Sequence, residues 1–479
     1  MCTLKKIIKN LYIFLLLLTG CNFEPRYVEP ILETPTTWKH QTEPVAIETI
    51  HRLENWWEIF ADNELNALEE VAVSDNKRLL AALEKVFAAR ALVGIRGADL
   101  YPQVTLKPAY NSIGALIQVF GIPPPLPTII RVHEMLYSLP LNLSYEIDLW
   151  GKIRNQYDSA YRNLEAECGA WRNVLLTLTT DLAINYFQLR SLDLEIQYLE
   201  KTIKVRKDNA VINRERYEAG FIIYSDVSRA ETLLANAEAL YERTLRLRTL
   251  KENMIATLCG KPASAFSIAF RPLDMQPPPI PPALPSRVLL NRPDLNAAER
   301  KAASEHALIG ASYASFFPTL SLTGGLGFSS PNLKEFLKWK SRYWNIGANS
   351  EEPVFDGWRT CSGVDFSWAR FRKASADYQQ KVLVAFEEVE NGLSNIQFQK
   401  SEIESLKKAH TSSIATREIS LERYTKGFTS YLEVTDSERA ELESGLDLIR
   451  VEGKLFTSTI ELIKALGGSF EYSHGNGCD

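Results

Sequence analysis

Methionine, histidine and cysteine are scarce in this chain of 479 residues, with 4, 6 and 6 copies. Met1, Met135, Met254 and Met275 are too few and too far apart for a copper-relaying array. The histidines (His40, His51, His133, His306, His410, His474) fall on different elements, without a nucleophile motif or a glycine-rich phosphate loop beside them. Nothing here points to catalysis, a cofactor or a metal site. Cys2, Cys21, Cys168, Cys259, Cys361 and Cys478 show no paired spacing, so neither a zinc site nor a disulfide framework follows. Cys168 falls on an apolar helical seam and reads as a small buried thiol. A basic excess is missing too: 54 Lys and Arg against 59 Asp and Glu leave a net charge of −5. That balance gives a nucleic-acid partner no electrostatic support. Beyond residue 20 no apolar run reaches the ~18 residues of a membrane-spanning helix. Any crossing of a bilayer falls to strands.

The chain is organised around the stretch from Tyr137 to about Tyr217. Leu139, Leu141, Leu143, Tyr145, Ile147 and Leu149 alternate with Ser138, Pro140, Asn142, Ser144, Glu146 and Asp148. This period of two marks a strand with one apolar and one polar face. At Trp150-Gly151 the period changes. Tyr161, Cys168, Leu175, Leu182, Leu189, Ile196, Ile203, Ala210 and Tyr217 recur every seven residues. A second row holds Leu164, Trp171, Leu178, Leu192 and Leu199, with Asn185 and Arg206 in its other positions. A strand therefore runs directly into a heptad-patterned helix of roughly 67 residues, about 100 Å long at 1.5 Å per residue.

Around this stretch the chain divides as follows. Lys5, Lys6 and Lys9 precede the apolar run Leu11 to Leu18, so residues 1–20 read as a secretory signal peptide. Residues 21–63 form an N-terminal arm whose Trp56, Trp57 and Phe60 pack onto something else. A helix is expected from Glu64 to Ala98, then a strand through Val104, Leu106, Pro108 and Tyr110. A loop with Pro123, Pro124, Pro125 and Pro127 leads to the opening strand, and a second helix runs from about Ser225 to Leu258. Residues 271–290 are a Pro-rich linker. After it the sequence repeats itself: Phe317-Pro318 matches Tyr101-Pro102, strands follow at Leu320–Phe328 and Trp344–Ala348, and Val354-Phe355-Asp356-Gly357 leads into a second long helix. Arg423-Tyr424-Thr425-Lys426-Gly427-Phe428 repeats Arg216-Tyr217-Glu218-Ala219-Gly220-Phe221. The reading is two repeats, 64–270 and 291–468, and a tail, 469–479.

Four alternating strands suit a transmembrane barrel and cannot close one, because bacterial barrels need at least eight and open edges are not tolerated in lipid. Other copies of the chain would complete it. The same alternation also fits a soluble sheet with one solvated face.

Tyr145-Glu146-Ile147-Asp148-Leu149-Trp150-Gly151-Lys152-Ile153-Arg154 resembles the strand-to-helix motif of the TolC-like outer-membrane efflux family, in its OprM/NodT-type lipoprotein branch. Further similar segments follow in order over the mature chain. They are Leu284-Pro285-Ser286, Asn291-Arg292-Pro293-Asp294-Leu295, Phe316-Phe317-Pro318-Thr319-Leu320-Ser321-Leu322-Thr323-Gly324 and Phe386-Glu387-Glu388-Val389-Glu390-Asn391-Gly392-Leu393. Leu18-Thr19-Gly20-Cys21 resembles a lipobox, which implies a palmitate-bearing, lipid-anchored Cys21, and Asn22 after it is compatible with the outer membrane. The resemblance implies a mixed α and β fold in which four strands per chain join a trimeric 12-stranded transmembrane β-barrel. A long periplasmic α-helical barrel would continue it. Such a homotrimer sits in outer-membrane lipid, docks with a periplasmic adaptor and an inner-membrane pump of the resistance-nodulation-division type, and passes drugs or other small molecules outward. It is not an enzyme. Type I secretion and metal-ion efflux are alternatives within this class. A coiled-coil scaffold lipoprotein is the alternative outside it, and it leaves the strands unexplained.

The resemblance also implies a periplasmic gate at the helix tips, with Tyr424, Gly427, Glu433 and Asp436 in the second repeat and Tyr217, Gly220, Asp226 and Arg229 in the first. Glu433 and Asp436 are three apart and share a helix face, and Gly220 and Gly427 supply the φ > 0 turns between helices. Three features depart from the family's pattern. Thr429 stands where some relatives place an arginine that ties the gate shut. Glu351 and Glu352 end the last strand where small or apolar residues are usual. Trp358 and Cys361 occupy positions where small residues are usual.

Overall fold

The structure, a computed structural model, describes residues 22–30, 32, 35, 37–40, 55–118, 129–280 and 291–468. The signal peptide, Cys21, the prolines at 123–127, Leu284-Pro285-Ser286 and the tail lie outside the described residues. In chain order the elements are α1 (Asn63–Asp75), α2 (Lys77–Ala98), β1 (Gln103–Leu106), β2 (Ala109–Gln118), β3 (Ile129–Ile147), α3 (Lys152–Glu218) and α4 (Tyr224–Leu258). There follow α5 (Pro293–Ala314), β4 (Thr319–Ser330), β5 (Arg342–Glu351), α6 (Arg359–Thr425) and α7 (Tyr431–Ala465). Helices α3 and α6 have 67 residues each, and α4 and α7 have 35 each. None of the described helices is long and apolar enough to cross a membrane.

The single helix expected over 64–98 is broken at Asn76, which adopts an extended conformation (ψ 119°). Its Oδ1 accepts from the backbone N–H groups of Arg78 (2.9 Å) and Leu79 (3.0 Å), capping α2. Its Nδ2 donates to the carbonyl of Leu258, the last residue of α4, at 2.8 Å. Asparagine competes with helix continuation in this way because its short amide reaches nearby backbone groups.

The chain forms two compact units. Of the described residues, the first takes those up to Pro30 and those within Phe87–Ala166 and Glu299–Asp377, and contains the sheet. All pairings are antiparallel, in the order β1-β3-β4-β5 with β2 also on β3. The expected first strand is interrupted at Lys107-Pro108, since proline has no N–H for the ladder. Five strand segments thus make four files. Between Leu141 and Ile147 register sorts the two faces. Leu106, Leu141, Leu326 and Trp344 make one row across the sheet, and Thr105, Asn142, Gly325 and Asn345 make the next. Apolar and polar rows therefore fall on opposite faces. At the end of the sheet that leads into α6, Glu351 pairs with Thr319. Both edges, β1/β2 and β5, are unpaired among the described residues.

Each strand-to-helix junction is capped by an aspartate. Asp148 accepts from the N–H groups of Ile153 (3.0 Å) and Arg154 (2.9 Å), before which Gly151 turns with φ +77°. Asp356 accepts from Thr360 Oγ1 (2.5 Å) and N–H (2.9 Å), and these bonds hold its carboxyl below the usual range. The N-terminal arm covers the first junction. Phe23 stacks on Phe317 with ring centroids 4.5 Å apart, Trp150 stacks on the same ring at 4.8 Å, and the Trp150 indole donates to Pro318 O at 2.8 Å. Asn22 accepts from Asn155 (3.0 Å) and Tyr27 donates to Glu299 (2.8 Å).

The second unit takes the described residues within Ile31–Val86, Glu167–Ala298 and from Tyr378 to Gly468. Its core answers the question of where the arm's aromatics go. Trp56–Phe60 form a short 3-10 helix, and Phe60 packs 4.8 Å from Phe187, which stacks 4.7 Å from Phe456. Arg190, almost wholly buried, is bound to Asp193 (3.0 Å), Glu64 (2.5 Å) and the Ala269 carbonyl (2.7 Å). Burial without a partner is costly for a charge, and this one is paired through both terminal nitrogens, while its buried Nε has no partner. Arg292, in the segment Asn-Arg-Pro-Asp-Leu, grips Asp294 (3.0 and 2.9 Å), Glu388 (2.6 Å) and the carbonyl of Ala465 (3.2 Å), the last residue of α7. It thus stands to α7 as Asn76 stands to α4. Cys168 is buried on its seam, yet it is disulfide-bonded, which corrects its reading as a thiol. Spacing alone does not say which cysteines meet. Cys259 is a free buried thiol, pushed up to about 11 by burial.

Candidate functional site

The residues singled out in sequence converge on two helix-to-helix turns of the second unit. Both turns are five residues long, 219–223 between α3 and α4 and 426–430 between α6 and α7. Gly220 has φ +78° and Gly427 φ +77°, and a Cβ at either would meet nothing within 4 Å. Glycine is therefore required for conformation, not for space. The hydrogen bonding is the same in both. Phe221 N donates to Arg216 O (2.9 Å) and Gly220 N to Tyr217 O (2.9 Å); Phe428 N donates to Arg423 O (2.9 Å) and Gly427 N to Tyr424 O (3.0 Å). These paired bonds satisfy the last carbonyls of each long helix.

The side chains of the two turns differ. In the second, Tyr424 donates to Asn213 Oδ1 at 3.0 Å, lies 5.1 Å from the ring of Tyr431 and carries the Arg216 guanidinium 5.5 Å above its face. Burial raises the Tyr424 and Tyr431 hydroxyls above their ordinary range. Tyr431 is 1% exposed and packs with Ala210, Ala230 and Val434. In the first turn Tyr217 is 43% exposed and makes an edge contact with Tyr224 at 5.4 Å. Tyr424 is hydrogen-bonded across helices to α3, whereas the Tyr217 side chain has among the described contacts only its ring contact with the first residue of α4.

The carboxylates also part company. Glu433 is held by Arg423 (2.9 Å) and accepts from the Thr429 hydroxyl. Thr429 thus serves Glu433 within its own turn. Asp436 lies on the same helix, exposed and without a salt bridge among the described residues. Asp226 and Arg229 form an i,i+3 pair at a long 3.5 Å.

Sequence reasoning missed the polar layer behind the turn. Arg206, 4% exposed, donates to the carbonyls of Leu233 (2.8 Å) and Glu438 (3.2 Å), and Asn209 donates to Glu438 Oε1 (2.8 Å). Burial lowers the Arg206 guanidinium and raises the Glu438 carboxyl, and the Glu438 Oε2 has no partner. The signal was present: Arg206 and Asn213 continue the seven-residue row of Leu192 and Leu199, and polar residues on a buried seam carry register or switching information. The arrangement offers no activated nucleophile and no acid–base pair within bonding reach of an open cavity. Its capacity is electrostatic.

Residues 68–261 and 284–468 match the family described as Outer membrane efflux protein. The chain is similar to the solvent efflux pump outer membrane protein SrpC of Pseudomonas putida, 28% identical with 97% of this chain and 99% of that one covered. It is also similar to the cation efflux system protein CusC of Escherichia coli, 27% identical with 95% and 97% covered. Among solved structures, the outer-membrane channel OprN superposes with a TM-score of 0.85 at 27% identity, covering 94% of this chain and all of that one. The chain belongs to the Outer membrane efflux protein family.

Proposed function

We propose that this chain is the outer-membrane channel of a tripartite efflux system, a passive duct driven by an inner-membrane pump of the resistance-nodulation-division type through a periplasmic adaptor. The carrying observation is the sheet: apolar and polar rows on opposite faces, four files, and two open edges. Open edges in lipid cost several kcal/mol per unpaired backbone group. Three copies supply twelve files and close the barrel, and the 67-residue helices of both repeats build the tunnel beyond it. The family is one of passive channels, and the chain is not an enzyme. The test is a planar-bilayer recording of the purified chain together with its mass as an intact oligomer. Stepwise conductance from a trimer supports the reading, and a non-conducting monomeric rod overturns it in favour of a scaffold.

Cys21 is the lipid anchor in this reading. Support comes from the arm that follows it, which Phe23 fastens to Phe317 at the foot of β4. Palmitate labelling of the wild type, lost in Cys21→Ala, tests it. The turn at Tyr424 and Gly427 is the gate, with Tyr217, Gly220, Asp226 and Arg229 as its looser counterpart. Converging carboxylates from three copies attract cations. Since Arg423 already neutralises Glu433, Asp436→Ala alone removes most divalent-ion block of the open channel, and Glu433→Ala adds little. Unchanged block in the double variant overturns the gate assignment. The names of the relatives differ on cargo, one a solvent and one a cation. Susceptibility of a deletion strain to organic compounds and to metal ions separates drug efflux from metal efflux.

A further inference from the structure

The connection between β4 and β5 carries a charge opposite to that of the chain. Lys334, Lys338, Lys340 and Arg342 face the single acid Glu335, three net positive charges in a protein of net charge −5. Glu335 is bound by Lys340 and lies 3.6 Å from Lys338, which leaves cationic capacity unspent. Aromatic residues are interleaved with these cations. The Arg342 guanidinium sits 3.9 Å above the Trp339 ring, and Trp339 and Trp344 are each 74% exposed.

Register fixes where this cluster lies. Arg342 pairs with Phe328 and Phe328 with Leu139, so Arg342 falls on the apolar face of the sheet. On β4 that face runs from Leu320 to Phe328, about 27 Å along the strand at ~3.4 Å per residue. This matches the ~25 Å apolar band of an outer-membrane barrel. One end of the band leads through Glu351 and Ile147 into the helices, and the other ends at Arg342 and the 331–341 connection. A ring contact between Tyr110 and Tyr137 (4.9 Å) and another between Tyr137 and Phe336 (6.3 Å) mark that same rim. Aromatic residues at such a rim sit at headgroup level. An arginine on the lipid-facing side there extends its charge to the headgroups and not into the hydrocarbon.

We propose that the β4–β5 connection binds the phosphate groups of lipids in the outer leaflet, with Lys338, Lys340 and Arg342 as phosphate ligands and Trp339 and Trp344 seated against the acyl chains. The inference rests on the outer-membrane channel reading. Guanidinium and ammonium groups at one rim, pre-oriented by an aromatic face, suit phosphate oxygens in both charge and geometry.

The test uses the full-length protein in nanodiscs of phosphatidylcholine containing either a diphosphorylated glycolipid or the same lipid with its phosphates removed. Lipid retained after extraction is counted by native mass spectrometry, and conductance is recorded in parallel. The wild type retains the phosphorylated lipid at least tenfold better, and the K338Q/K340Q/R342Q variant loses that preference while conducting normally. Trp339→Ala, which leaves every charge in place, lowers retention of both lipids alike. Equal retention of the two lipids, or an unchanged preference in the triple variant, overturns the proposal alone. Competition by millimolar inorganic phosphate overturns the commitment to lipid and leaves a simple anion site. A wild type that fails to conduct overturns both this proposal and the channel reading.

Discussion

At the first strand-to-helix junction Asp148 caps α3 and Trp150 lies beside Phe23 on the ring of Phe317, whereas at the second Asp356 caps α6 and Val354, Phe355 and Trp358 stand 98%, 88% and 75% exposed. The turning device differs as well. The first junction places its positive φ at Gly151, and the second places it at Gly357 and at Trp358, with φ +65° and +72°. One junction is thus finished by the chain's own arm and the other is left bare. Apolar surface of this kind marks contact with something outside the chain, and in the trimeric barrel proposed above lipid and the neighbouring copy are the surfaces within reach. The helix tips repeat the contrast, with Tyr424 tied to Asn213 and Tyr217 half exposed.

The largest expected effect separates the two clamps. Arg292→Ala takes the cation from the partly buried Asp294, leaves the half-exposed Glu388 to water and frees the Ala465 carbonyl, a loss of about 2–3 kcal/mol for charge-assisted hydrogen bonds. Asn76→Ala removes a cap and one bond to Leu258, about 1–2 kcal/mol. Urea midpoints of the helical circular-dichroism signal measure both. Equal losses would show that the arginine clamp adds nothing beyond a cap.

Next in size is the arm. Phe23→Ala deletes a half-buried ring and its stack on Phe317, about 2 kcal/mol of local attachment. The arm then becomes a substrate for limited proteolysis while the sheet stays protected. If cleavage is unchanged, the first junction is covered by something other than Phe23, and the contrast with the second collapses.

The fold was legible wherever one period ruled a long segment. Alternation marked the strands and heptads marked α3, because each pattern reports a face that must be buried or wetted along its whole length. The break at Asn76 was not legible, since it depends on a carbonyl at Leu258 that only the folded chain supplies. Nor was the interruption at Pro108 recognised, although proline's missing N–H is a local cue. At the candidate site the glycine turns could be read from Gly220 and Gly427, and the residues that make the second turn different could not. Asn213 and Arg206 look like blemishes on an apolar row until Tyr424 and Glu438 are brought against them from α6 and α7.

A smaller effect has the opposite sign. Trp358→Gly removes a bulky residue from a left-handed conformation and stabilises the second junction by about 1 kcal/mol. The heat needed to dissociate the oligomer on a gel reports it. A decrease instead shows that the exposed indole is anchored by lipid or by a neighbouring copy strongly enough to outweigh its strain.

The smallest effect tests the tips. Tyr424→Phe keeps the ring against Tyr431 and deletes only the hydroxyl that donates to Asn213, leaving Asn213 Oδ1 without that donor, at a cost of about 1 kcal/mol. Tyr217→Phe deletes a hydroxyl on a residue already 43% exposed, where water satisfies it, and costs nothing measurable. Because Tyr424 joins the end of α6 to α3, its loss loosens one turn against another, so the open fraction in single-channel records rises about fivefold if that bond alone holds the closed state, ~1 kcal/mol being a factor of about five. Tyr217→Phe leaves the record unchanged. Equal records for the two variants would mean that the gate does not reside in the asymmetry between the turns, and a rise for Tyr217→Phe alone would place it at the first turn.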